Sequence, residues 1–202
     1  MIGWLYDLMS GKAEKAGIGS QRHQLLASLQ GDVLEIGAGT GLNLPRYENA
    51  SRVIALEPDA SMARRLNKRV SEASVPVEVV SATAEALPFP DGSFETVVVT
   101  FVLCSVDDPA AVLAEMRRVL GPGGRLVLLE HVRGEGPRIA HWQDRLTPLH
   151  RRLAGNCHLN RDTKAAVEAA GFDASDVRPT RIPGSHALVR SGIQGIAIKT
   201  SS

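Results

Sequence analysis

The stretch Val33-Leu34-Glu35-Ile36-Gly37-Ala38-Gly39-Thr40-Gly41-Leu42 constrains this chain more than any other. Val33, Leu34 and Ile36 form the apolar, partly β-branched run of a strand covered on both faces. Three alternating glycines follow. Glycine reaches positive φ at little steric cost and has no Cβ to hold a ligand away from the backbone. Leu42 to Tyr47 then reads as the start of a helix, with Pro45 tolerated in its first turn. The free N–H groups and positive dipole end of that helix would face whatever lies on the turn.

The same alternation continues downstream. Arg52–Leu56, Val77–Val80, Phe94–Thr100 and Arg125–Glu130 read as strands. Between them come a helix from Ala60 to about Ala73, with Asp59 as N-cap, and a helix starting at Asp108-Pro109 and running to Leu120. The second of these presents Val112, Leu113, Met116 and Leu120 inward and ends at Gly121-Pro122-Gly123-Gly124. Lys164 to Ala170 reads as a further helix, closed by Gly171-Phe172, and Gln21 to Leu29 as a short one. Strands alternating with helices predict an α/β fold with a doubly wound parallel sheet.

A length of 202 residues suits one domain with a sizeable core. The net charge of +1 supplies no field for nucleic acid. No apolar run is long enough for a spanning helix, and no basic segment leads into an apolar one at the N-terminus. Cys104 and Cys157 stand far apart in a chain that needs no staples, so a reduced, cytoplasmic setting is expected.

The glycine spacing distinguishes between ligands. The dinucleotide fingerprint is G-x-G-x-x-G, whereas here Leu42 stands where its third glycine would be. Glu57 ends the second strand, where an acidic residue accepts both ribose hydroxyls of a nucleoside. With Glu35 two positions before Gly37, the pattern E-x-G-x-G-x-G resembles motif I of the class I S-adenosylmethionine (SAM) methyltransferases. In that family the glycines face the methionine part of SAM and the acidic residue helps hold its ammonium group. The run from Ala82 to Phe94 resembles the "A-E-x-L-P-F-x-D-x-S-F-D" segment of small-molecule methyltransferases. Those proteins often carry an adenine-binding acidic residue where this chain has Thr83, so a backbone group or Glu85 would serve instead. The segment from Glu115 to Glu130, "E-M-R-R-V-L-G-P-G-G-R-L-V-L-L-E", is typical of the same class.

Residues 131–163 and the tail carry a finer likeness. The combination "V-L-C-S-V … E-H-V … W-Q … P … G-x-C … R-x-T … A-G-F" resembles the methyltransferase-like thiol S-methyltransferases of animals and their bacterial relatives. Leu188 to Arg190 and Gly195 to Lys199 look like that group's closing strand. The resemblance implies one SAM-dependent domain over 1–202, with a Rossmann-like sheet of about seven strands, the last antiparallel. Residues 1–30 would form N-terminal helices or a lid, and 132–163 a substrate-side insertion. It also implies cofactor contacts at Glu35, Gly37, Ala38, Gly39, Gly41, Asn43, Glu57, Pro58, Ala84, Glu85, Thr100 and Leu103. The animal proteins carry a hydrophobic N-terminal anchor that is not expected here.

The implied reaction moves the SAM methyl group to a small acceptor, preferentially a thiol, by in-line displacement and yields S-adenosylhomocysteine. Such a transfer requires no metal, and no metal-ligand spacing stands out. A thiol reacts as thiolate, and with a free pKa of about 8.5 it gains from a neighbouring base or cation. His131, His158 and Arg161 are the catalytic candidates. Cys104 reads as a small buried hydrophobe near the methyl group, Cys157 as structural and Trp142 as packing for the insertion. Arg138, His141, Arg145, Arg151 and Arg152 read as a solvated face, or as a contact for anionic lipid. Arg64, Arg65, Lys68 and Arg69 likewise read as solvated. The N-terminal aromatic cluster around Trp4, Leu5, Tyr6, Leu8 and Met9 suits a packed helix, a lid or a peripheral membrane contact. The alternatives are a quinone-precursor or phospholipid-amine acceptor and, in another class, a SAM-binding protein without catalysis. No nucleic-acid partner is expected, and the chain would be a monomer or homodimer.

Overall fold

The computed structural model describes residues 7–8 and 11–200, so the readings for Trp4, Leu5, Tyr6 and Met9 lie outside the described residues. An eight-stranded mixed sheet forms the centre. Its strands are β1 (Asp32–Ile36), β2 (Arg52–Leu56), β3 (Val77–Val80), β4 (Phe94–Thr100), β5 (Leu120–His131), β6 (Phe172–Asp173), β7 (Arg178–Arg181) and β8 (Ser191–Lys199). They run in the order β3-β2-β1-β4-β5-β8-β6, with β7 also on β8. The first five are parallel. β8 is antiparallel to β5, β6 and β7, which matches the antiparallel last strand expected. Helices α1 (Gly19–Leu26), α2 (Ala60–Arg69), α3 (Pro109–Val119), α4 (Pro137–Leu153) and α5 (Thr163–Ala169) flank the sheet.

The apolar runs are continuous because both faces of the sheet are covered. Leu34, Ile36, Val97, Val99 and Leu128 pack on one side with Leu113 and Met116 of α3. Val33, Val53, Val98 and Val127 pack on the other with Leu26, Leu44, Tyr47 and Leu66. Asp59 caps α2 by accepting the Ser61 and Met62 N–H groups, and Asp108 caps α3 in the same way from Ala110 and Ala111.

Some expectations are corrected. No α-helix follows the glycine turn, only a 3₁₀ turn at Leu44–Arg46. Gly41 at φ +84° precedes that turn, and Tyr47 leaves it in extended backbone with its hydroxyl anchored on Glu35. The N–H groups at the turn are therefore those of the loop itself. The helix after β2 passes from α into 3₁₀ at Val70–Glu72. The Gly121–Gly124 run lies within β5, where the register shifts between Phe94 and Thr96 of β4. Ala187–Val189 forms a 3₁₀ turn, so only Ser191–Lys199 is strand. β6 and β7 pair with opposite ends of the same edge of β8. Between them Gly195, at φ +147°, sits so close beneath the Asp176 carbonyl that a Cβ would collide with it.

Residues 137–153 form α4, which runs through Pro148. Gln143 fixes its inner face by accepting the Gly134 N–H at 2.8 Å and donating to the Leu188 carbonyl at 2.8 Å. Its outer face carries Trp142 at 51% exposure, Leu149 at 56% and Leu153 at 74%, so Trp142 does not pack the insertion. Arg65 and Arg69 are not merely solvated. Both bind Asp7, whose other oxygen accepts the Thr40 hydroxyl at 2.6 Å, and this ties the N-terminal segment to the glycine turn.

Candidate active site

The strand order changes direction between β1 and β4, and ligands in open α/β sheets lie beyond the carboxyl ends of strands at such a point. A cavity of about 600 Å³ occupies that place. Its lining follows the sheet: Glu57 and Pro58 after β2, Gly37 and Gly39 after β1, Thr100 to Val102 and Cys104 at the end of β4, and His131 at the end of β5. Grooves of about 760 Å³ elsewhere, one between α3 and α5 and one at the amino ends of the strands, contain none of these residues.

The three glycines divide the work. All have positive φ, at +65°, +59° and +84°. A Cβ on Gly37 would stand 2.6 Å from Val102 Cγ2, and one on Gly41 would stand 2.9 Å from Leu66 Cδ1, so both are required by packing. Among the described residues a Cβ on Gly39 would meet only the Gly37 carbonyl, at 3.9 Å, so there the missing side chain leaves room for a ligand. Glu57 braces the same turn. Its carboxylate accepts the Gly39 N–H at 2.8 Å and the Asp59 N–H at 2.9 Å. Burial pushes its carboxyl above the ordinary value, and the two N–H bonds oppose that shift.

Of the residues marked in the sequence, Gly37, Gly39, Glu57, Pro58, Ala84, Glu85, Thr100 and His131 line the cavity. Thr83, which stands where relatives carry an acid, lines it too. Glu35, Ala38, Gly41, Asn43, Leu103, His158 and Arg161 do not. Glu35 is buried behind the turn, where it accepts Asn43 Nδ2 at 2.8 Å and the Tyr47 hydroxyl at 3.0 Å. Arg161 donates to the Leu103 and Val106 carbonyls and so holds the segment after β4. His158 gives its backbone N–H to the Cys104 carbonyl at 2.7 Å. Burial, then Arg161 and Arg151, hold its ring below the ordinary imidazole value.

Arg22 was not visible as a site residue in the sequence. It is 3% exposed and donates to Asn43 Oδ1 at 2.8 Å, Thr100 Oγ1 at 2.7 Å and Glu14 Oε1 at 2.9 Å. It thus cross-links α1, the glycine loop and the end of β4. Arg22→Met leaves the part-buried Glu14 carboxylate and the buried Asn43 amide without that donor. Stability is expected to fall by about 3 kcal/mol, and the thermal midpoint by roughly 10 °C by calorimetry.

Burial pushes the Glu35 carboxyl up to about 7 against its two hydrogen bonds, above an ordinary value of 4.5. The folded protein then binds a proton that the unfolded chain has released. The stability this contributes is whole below the unfolded value and is lost as pH rises through about 7. Thermal midpoints are expected to fall between about pH 5 and pH 8, and Glu35→Gln to flatten that slope.

At the β5 end, Glu130 accepts the N–H groups of Val102, Leu103 and Cys104 at 2.7, 3.0 and 3.3 Å. Burial pushes its carboxyl up to about 7 against these three bonds. Beside it, His131 Nε2 lies 2.6 Å from Cys157 Sγ, and Cys104 Sγ, His131 Nε2 and Cys157 Sγ all lie within 4.8 Å of one another. Cys157 reaches this point because Asn156, at φ +63°, latches its amide onto the Ser105 carbonyl at 2.7 Å and Asp107 at 2.9 Å. Cys157 is the acidic sulfur of the pair. Cys104 beside it, and then His131, hold it far below the ordinary thiol value against the effect of burial. Cys104 is pushed up by the same contact and by burial. The two cysteines thus do not stand apart: both lie against His131. No spacing could reveal the trio, since its members come from three separate elements, the last two 26 positions apart.

The model of a methyltransferase domain matches residues 34–128. Thiol S-methyltransferase TMT1A of Homo sapiens is 34% identical over 192 residues, covering 89% of this chain and 79% of that protein. The chain belongs to the class I SAM-dependent methyltransferases. Another relative of this methyltransferase is phosphatidylethanolamine N-methyltransferase of Cereibacter sphaeroides, 37% identical over 67% of this chain and 68% of that one. Among solved structures, the YcgJ protein from Bacillus subtilis shares the fold with a TM-score of 0.69 at 19% identity, over 92% of this chain and 99% of that one. Geranyl diphosphate methyltransferase in complex with SAM shares it at 0.67 and 15%, over 92% and 85%. Among the described residues, no helix of this methyltransferase is long and apolar enough to cross a membrane.

Proposed function

We propose that this methyltransferase transfers the methyl group of SAM to a small thiol. One observation carries the reading: a single cavity joins a glycine cradle and Glu57 at one side to Cys104, His131 and Cys157 at the other. The thiol S-methyltransferase relatives support the acceptor class. The donor set fits SAM, because Gly39 leaves space over the backbone and Glu57 keeps lone pairs for ribose hydroxyls after bonding two N–H groups.

When bound, SAM supplies a methyl carbon on a sulfonium, so the acceptor's sulfur bonds to that carbon as the sulfonium C–S bond breaks and leaves S-adenosylhomocysteine. The chain's own residues supply alignment and polarity. Gly37 and Gly39 cradle the donor, Glu57 orients its ribose and Glu85 is placed for the adenine edge. Glu35 and Asn43 act from behind, by holding the turn. Residues 132–163 serve as the acceptor-side insertion, with Ala154, Gly155 and Cys157 in the wall. Ala13 brings the N-terminal segment to the same wall as a covering element. His131 is the catalytic residue that meets the acceptor's sulfur, and His158 and Arg161 are positioning residues.

S-adenosylhomocysteine formation with a panel of small thiols, a catechol, a quinol and phosphatidylethanolamine vesicles tests this. Turnover on thiols is expected. Turnover on the lipid or quinol alone overturns it. His131→Ala is expected to lower kcat by about 100-fold or more while leaving SAM affinity unchanged by calorimetry.

A second reading, a phospholipid-amine acceptor, draws on one observation of its own. The exposed Trp142, Leu149 and Leu153 share α4 with Arg138, Arg145 and Arg152, as suits a helix resting on an anionic membrane. Turnover on vesicles without turnover on thiols would favour it.

A further inference from the structure

We propose that Cys104 Sγ, His131 Nε2 and Cys157 Sγ form a three-ligand site for a soft divalent cation, zinc by preference, whose open position faces the cavity and takes the acceptor's sulfur. The fourth position rests on the thiol reading; the three protein ligands do not.

The donor set selects the ion. Two sulfurs and an imidazole suit zinc, whereas magnesium and calcium demand oxygen. Among the described residues the group of close donor atoms is Cys104, His131 and Cys157, and the neighbouring Glu130 carboxylate is turned to the N–H groups of Val102, Leu103 and Cys104. The spacing fits as well. Zinc with Zn–S near 2.3 Å and Zn–N near 2.0 Å in tetrahedral geometry holds its ligand atoms roughly 3.5–3.8 Å apart. The three atoms already lie within 4.8 Å of one another. The His131–Cys157 pair, at 2.6 Å, must open by roughly 1 Å as the ion enters.

The ligands stand on anchored backbone. Cys104 is held through its N–H by Glu130 and through its carbonyl by the His158 N–H. His131 is the last residue of β5 and pairs with Gly192 of β8. Cys157 follows Asn156, whose amide bonds to Ser105 and Asp107. In His131 the nitrogen that faces Cys157 Sγ is Nε2, at 2.6 Å, so Nε2 is the one presented as a ligand.

All three residues line the cavity, so a fourth ligand would enter from that side. Three protein ligands and one open position is the pattern of a catalytic zinc site rather than a structural one. A thiol entering that corner binds through sulfur, and its proton leaves to solvent, because a coordinating thiol is deprotonated outright. The ion would thereby present a thiolate, and the His131 lone pair would belong to the metal rather than to a proton.

The test uses the full chain under a phosphine reductant, so that both cysteines stay reduced and no small thiol competes. After loading with zinc and dialysis, bound metal is measured by mass spectrometry. About one zinc per chain is expected, with cobalt substitution giving sulfur-to-cobalt charge-transfer bands and intense tetrahedral visible bands. Cys157→Ser and His131→Ala are expected to weaken zinc by more than the roughly 100-fold that loss of an outer-shell partner costs, while circular dichroism and SAM affinity stay unchanged. Where a variant fails to fold, the cobalt spectrum of the unaltered chain decides alone. Its absence, or zinc binding indifferent to Cys157→Ser, overturns the site. A small thiol is expected to shift the cobalt bands. Bands that no thiol moves overturn the open position as the acceptor's seat, whereas thiol turnover by a chain that holds no metal overturns the ion and leaves the thiol reading standing.

Discussion

Gly39→Asn is expected to keep the fold and to weaken SAM binding by roughly 100-fold or more, because each 1.4 kcal/mol of lost contact is tenfold in affinity. Position 39 sits at φ +59°, a conformation asparagine tolerates better than other residues with a side chain. The substitution therefore adds little strain and separates occlusion from unfolding. Its side chain would project into the open space beside the Gly37 carbonyl, where the cradle lies. Gly37→Ala makes the contrast. Its Cβ would stand 2.6 Å from Val102 Cγ2, so its effect should appear first as lost stability. Calorimetric titration with SAM, beside thermal unfolding of both variants, checks the pair. Gly39→Asn binding within about threefold of the unaltered protein would remove Gly39 from the cradle.

Glu57→Ala is expected to weaken SAM roughly 10- to 150-fold, the range of a lost hydrogen bond to a charged acceptor. Two effects combine. The ribose loses its acceptor, and the Gly39 and Asp59 N–H groups lose the carboxylate that bridges them. Glu57→Gln separates the two. Its carbonyl oxygen still accepts one N–H, so it should recover part of the loss. Equal losses in both variants would mean that charge on the ribose dominates. No loss in either would place the nucleoside elsewhere in the cavity.

The strands were legible because burial on both faces forces long apolar runs, as in Val97, Val98 and Val99, which alternate between the two sides of the sheet. Asp59 and Asp108 announced their helices because a cap is a local device. Glu57 was legible as a cavity residue because it follows the strand paired beside β1, so the sheet itself brings it next to the glycine turn. The helix expected after Gly41 failed on local grounds, since a left-handed glycine and an extended, anchored Tyr47 leave room for only a 3₁₀ turn. Arg22, the Asp7 bonds to Arg65 and Arg69, and the meeting of Cys104, His131 and Cys157 are long-range facts. Each depends on which elements the fold brings together, and nothing in the local spacing records that.

The divided edge of the sheet bears on how this chain behaves in a crowded solution. An unpaired strand edge is a template for another molecule's backbone, and long, flat edges seed aggregates. Here the β6–β7 edge is broken where Asp176 crosses above Gly195, so neither fragment offers a sustained row of free N–H and C=O groups. The opposite edge, β3, is only four residues long. Strand addition is therefore a poor route to self-association at either end of the sheet.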